Sequence, residues 1–158
     1  MAPVKVQGVT DYTERKVFSI PCTQWSQQVV EDFNVYEIPN TGSNIIRYKP
    51  VYLTFRKGEE GEMSNLYKIE KLIILNFNQD LKIFLKDKSF NINYRQKVKA
   101  YAEYMQNIGI WNQLPDTDKL VFFLSDTFIE LKNKPRPLVN NYNSEYFELS
   151  KLLNNSVV

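Results

Sequence analysis

One segment of the chain, residues 94–108, carries a helical period; almost every other apolar stretch is a strand-length run stopped by Pro, Gly, Asn or a charged turn. Tyr94, Val98, Tyr101, Ala102, Met105 and Ile108 recur at i, i+4, i+7, i+8, i+11 and i+14, the spacing of one helix face. Asn93 caps its start and Gly109 its end in this reading. The other runs are short and rich in β-branched and aromatic residues. They lie at residues 16–22, 45–56 with a break at Pro50, 66–75 and 81–85, and in the pair 120–124 and 127–131. Only Ser125 and Asp126 separate that last pair, so it is a hairpin or one bent, bulged strand. Residues 24–33, capped by Thr23, read as a short helical turn, and residues 145–153 as an amphipathic C-terminal helix.

This pattern predicts an α+β domain: a small curved sheet or pseudo-barrel with one main helix and short flanking helices. With 158 residues there is room for one such domain, expected over residues 16–158 behind a leader or linker at residues 1–15. Alternation places Val51, Leu53 and Phe55 on one face of their strand, and Tyr67, Ile69 and Ile73 on one face of the next.

The chain has no histidine, which removes Ser-His-Asp and Cys-His nucleophilic sites, imidazole relays and His-ligated zinc. Its single cysteine, Cys22, forms neither an internal disulfide nor a thiolate cluster, in keeping with a reducing, cytoplasmic home. No cofactor or metal is expected. No apolar run nears the roughly 20 residues a membrane helix needs, so no membrane partner is expected either. A net charge of +2 is too small for a bulk electrostatic grip on nucleic acid. Any such binding must use a local patch.

The order of elements resembles a known group. A strand followed at once by a Trp-bearing turn (Val17 through Trp25) precedes the run from Arg47 to Arg56 and then the run from Tyr67 to Ile73. Together with the ending from Leu120 to Leu124, Ile129 to Lys132 and Tyr146 to Leu153, this resembles the PUA-like superfamily, including EVE- and YTH-type modules such as those attached to prokaryotic restriction-type nucleases. The resemblance spans residues 16–153. It implies a pseudo-barrel that accepts an extruded, often modified base into an aromatic pocket, with DNA the expected partner ahead of RNA and a nuclease or NTPase domain or subunit as a further partner. Unstacking a base costs a few kcal/mol, and stacking on aromatic side chains returns about 1–3 kcal/mol per base.

On that reading the pocket residues are Trp25, Ser26, Tyr48, Tyr52 and Phe55. Phosphate contacts fall to Arg56 and Lys57, and to Lys132, Lys134 and Arg136 in a proline-stiffened loop. Ordinary packing is the competing reading for each aromatic, and a solvated surface for each cation. Trp111, past the helix end, reads as core. Two other classes compete. Asp116 after Pro115, with Glu130 and Lys132, matches the loose PD…(D/E)xK pattern of Mg²⁺-dependent nucleases, in which two carboxylates hold the metal and the lysine supports the attacking water. The match is short, and Glu130 and Lys132 alternate with Ile129 and Leu131 like any polar strand face. The third class is a protein-interaction module built on the aromatic strand faces.

Overall fold

A computed structural model describes residues 16–23, 25–111 and 115–158; the leader expected at residues 1–15, and Gln24 in the expected helical turn, lie outside the described residues. The chain runs β1 (Val17–Pro21), α1 (Ser26–Phe33), β2 (Val35–Pro39), β3 (Tyr52–Arg56), β4 (Asn65–Leu75), α2 (Leu81–Lys86), α3 (Ile92–Asn107), β5 (Lys119–Glu130), β6 (Glu145–Phe147) and α4 (Leu149–Asn154). The six strands form one sheet in the order β2-β5-β4-β3-β1-β6, antiparallel except for β1 against β3. The α+β expectation holds.

The sheet curls on itself. Phe18 on β1 and Phe122 on β5 are three strands apart in the sheet, yet their rings lie 5.8 Å from each other. Residues 40–51 span the gap between the two edge strands. Ser144, just before β6, donates its N–H to Ser43 Oγ at 3.0 Å, and the Tyr146 hydroxyl on β6 accepts from the Arg47 N–H at 2.9 Å.

β5 shows why the sequence curls this way. Leu120, Phe122 and Leu124 fill the inside of the curve with Phe18, Leu53 and Phe55, while Val121 and Phe123 face the opposite side and pack under α2 and α3 with Val98, Tyr101 and Met105. All five are fully buried, so this half of the strand lacks a polar face and reads as one continuous apolar run, while residues 126–130 are exposed. Each such side chain contributes about 1.5–3 kcal/mol before chain entropy is counted. A third cluster, Val17, Met63, Leu66, Leu131 and Leu152, holds α4 against the far end.

Several sequence expectations change in detail, and one open alternative is decided. Residues 81–85 form helix α2 and not a strand, because Leu81, Phe84 and Leu85 meet the core at helical spacing. The expected pair at 120–131 is one strand, Lys119–Glu130, with register shifts opposite Tyr67 to Lys71, the bent and bulged alternative. Those shifts change parity on β4, so Ile73 faces the α3 side while Tyr67 and Ile69 face the interior. The segment 145–153 divides into β6 and α4. The main helix begins two residues earlier than expected. Its cap is Asn91, whose side chain accepts the Asn93 N–H at 2.8 Å, and Gly109 follows its end at φ 81°, where glycine has no side chain to strain. Strand β2 was not expected at all.

Candidate functional site

A cavity of about 390 Å³ opens where the start of α1, strand β2 and the second half of α3 meet. Four aromatic side chains line it, Trp25, Tyr36, Tyr101 and Tyr104, beside Val29, Met105, Ile108 and Ile110. Trp25 is 60% exposed at this corner, with Ile108 and Ile110 also reaching solvent. Thr23, Ser26 and Glu37 add polar groups.

The Trp25 corner is rigid for local reasons. The Thr23 N–H donates to Ser26 Oγ at 2.9 Å while the Ser26 N–H donates to the Thr23 carbonyl at 3.2 Å, a reciprocal clamp over the first turn of α1. Ser26 Oγ also hydrogen-bonds Thr23 Oγ1 and the Tyr36 hydroxyl, both at 2.8 Å. Tyr36 is backed by Phe55, ring to ring at 5.0 Å edge-on, so it cannot swing inward. Burial pushes the Tyr36 phenol up, against the pull of its bond to Ser26.

Glu37 supplies the charge. Its Oε1 accepts from the Tyr101 hydroxyl at 3.0 Å, and Lys119 Nζ lies 3.8 Å from Oε2. Oε2 is buried and accepts no hydrogen bond. Burial first, and then the neighbouring Glu37 charge, raise the Tyr101 phenol far above the ordinary tyrosine range, so it stays protonated and donates. Among the described residues, no lysine or arginine lines the cavity. A ligand there is held by stacking and by hydrogen bonds.

Of the five pocket residues expected from the sequence, Trp25 and Ser26 line this cavity and the other three do not. Phe55 lies one layer behind, buried against Tyr36 and Tyr67. Tyr48 packs edge-on against Tyr146 at 5.0 Å, beside the β6 edge. Tyr52 packs on the cluster beneath α4. Trp111 meets Phe77 edge-on at 6.3 Å, as core. The sequence reading missed Tyr36, Glu37 and Tyr104, and took Tyr101 only as part of a packing stripe.

The cations also divide. Arg56 is not a phosphate ligand. It is 2% exposed, because β3 is covered on both faces, and all its donors are used inside the protein. Nη1 donates to the Ser19 carbonyl and hydroxyl, both at 2.9 Å; Nε donates to Asn140 Oδ1 at 3.2 Å; Nη2 donates to the carbonyls of Asn141 and Asn143. Glu145 lies 3.7 Å away. Lys57 is tied to the Gln27 side chain, next to the Trp25 corner. Lys132 and Lys134 are exposed, and Arg136 is half-exposed and faces Glu60 at 3.9 Å.

The nuclease-like residues do not converge. Asp116 precedes β5 and accepts from the side chains of Asn76, at 2.9 Å, and Gln79. Glu130 ends the same strand twelve residues long, which separates the two carboxylates by on the order of 30 Å. Among the described residues, no group of three or more Cys, Asp or Glu side chains is placed to hold a metal ion. Among them, too, no helix is long and apolar enough to cross a membrane.

No protein-family model matches the chain, and no curated protein does. Among solved structures, crystal structures of two mutant proteins of ZmASCH from Zymomonas mobilis are similar to it at 10% and 9% identity. They cover 89% and 87% of this chain and 79% and 78% of theirs, with TM-scores of 0.33 and 0.34. At that level the overlap carries no functional argument.

Proposed function

We propose that this chain is a PUA-like nucleic-acid-recognition module that takes an extruded base, modified in its natural DNA target, into the cavity at the Trp25 corner. In this reading it serves as the reading part of a prokaryotic restriction or defence system. The observation that carries the proposal is the cavity itself. Its volume lies within the roughly 300–1,000 Å³ of small-molecule sites, and four aromatic rings and a buried acceptor converge on it. A base needs flat apolar walls and a few fixed polar partners, and this lining supplies both. Lys57, close to the same corner, and the exposed Lys132 and Lys134 are the cations left free of buried roles to meet phosphates. On this reading the module binds without cutting, with a nuclease or NTPase domain or subunit as its further partner; the separation of Asp116 and Glu130 by the length of β5 takes support away from the nuclease alternative.

The test is Trp25→Ala. Because the indole is mostly exposed, its loss leaves the thermal transition where it was. Affinity for single-stranded or base-flipped oligonucleotides falls by about 1–3 kcal/mol in an anisotropy titration. Equal affinity in parent and variant overturns the proposal.

A further inference from the structure

The polar element of the cavity is a carboxylate that the protein itself leaves nearly unused. Glu37 lines the cavity, yet it accepts a single hydrogen bond, from Tyr101, although an ionised carboxylate has about four acceptor sites. Its Oε2 is buried without a donor. Oε2 is closed off from solvent beside Lys119, so the acceptor capacity an occupant of the cavity can use is what Oε1 retains beyond its bond from Tyr101, and among the described lining residues Glu37 is the one charged side chain. Lys119, at 3.8 Å, offsets the charge without hydrogen-bonding it. The offset still matters: with its charge already balanced, the carboxylate has little call for a cationic ligand.

We infer that Glu37 makes the cavity selective for a neutral nucleobase with an exocyclic amino group, as in cytosine, adenine or guanine, over thymine or uracil. This rests on the base-pocket reading above. An ionised carboxylate only accepts hydrogen bonds. An amino group offers it N–H donors, whereas thymine and uracil present a single ring N–H flanked by two carbonyl oxygens that face the carboxylate with like charge. The neighbouring Tyr101 hydroxyl is committed to Glu37 and cannot serve those carbonyls.

The experiment uses the full chain and short oligothymidine strands labelled for anisotropy, with the central position varied among thymine, cytosine, adenine and guanine. The parent binds at least one amino-bearing strand about tenfold or more tighter than all-thymine. Glu37→Gln, which both donates and accepts, reduces that ratio to about two or less. Because Glu37→Gln leaves Lys119 buried and unpaired, Glu37→Gln/Lys119→Met is measured beside it and loses the preference equally. A parent that binds all four strands alike, with Trp25→Ala weakening every one, overturns the selectivity and leaves the base pocket standing. A preference that survives in both Glu37 variants overturns it as well. Binding that ignores Trp25, or no binding at all, overturns both readings.

Discussion

Two buried charges sit about the same sheet and are treated in opposite ways. Arg56, on β3, has each of its N–H donors matched by oxygens of Ser19, Asn140, Asn141 and Asn143, with Glu145 alongside. The loop of residues 140–145 closes over it. Glu37, on β2, has one hydrogen bond, on Oε1, a second oxygen closed off with only Lys119 near it, and a cavity beside the side chain. A saturated buried charge organises the chain around itself, and here it fastens the loop before β6 to β1 and β3. An unsaturated one beside a cavity is costly to the free protein and gains its remaining partners from outside. The first arrangement marks architecture and the second marks a site.

The comparison breaks most sharply at Arg56. Arg56→Met leaves three backbone carbonyls, the Ser19 hydroxyl and Asn140 Oδ1 without their donor and Glu145 without its counter-ion, and should cost about 3–5 kcal/mol of stability in urea denaturation. A loss under about 1 kcal/mol would show that the node holds nothing together. Gly61 tests the same node from its other side. At φ 77°, a Cβ there would lie 2.7 Å from Asn140 Oδ1, the atom that accepts from Arg56 Nε. Gly61→Ala should therefore cost about 1–3 kcal/mol, from left-handed strain and displacement of Asn140 together, while oligonucleotide affinity stays at the parent value. A drop in affinity would join the node to the site and remove the distinction.

How far these features could be read in advance depended on how local their causes are. The helical period of α3, the β-branched and aromatic run of β1 and the shared face of Leu53 and Phe55 in β3 are properties of neighbouring residues, and they were legible. Strand β2 was not, because five residues ending in Pro39 and carrying Glu37 make a poor strand signal; its place at the sheet edge, where a proline is tolerated, is decided by pairing with β5 more than eighty residues later. Helix α2 misread as a strand because Ile83 and Phe84 are β-type residues in a short apolar run, and only packing against the core chooses the helical period. In the site, Trp25 and Ser26 were legible from a polar turn directly after a strand. Glu37, Tyr101 and Tyr104 come together only once α3 crosses β2, and Arg56 looked like a strand-end surface cation because the loop that buries it lies 84 to 89 residues downstream. Charge and hydropathy of a residue do not reveal which later segment will cover it.

The smallest expected effect is on the other side of the comparison. Glu37→Gln/Lys119→Met removes both members of the buried pair at once. If the pair were a structural fastening like Arg56, its loss would be expensive. The geometry says otherwise: the ions are 3.8 Å apart without a hydrogen bond, and desolvating them costs about as much as their attraction returns. Gln keeps an oxygen for the Tyr101 hydroxyl, and Met fills the volume of the lysine stem. The double variant should unfold within about 1 kcal/mol of the parent, whereas Lys119→Met alone strands the carboxylate and should be the less stable of the two. A double variant as damaged as Arg56→Met would make Glu37 an architectural charge, and the hydrogen-bonding capacity left open toward the cavity would then lose its meaning as a reader of ligand donors.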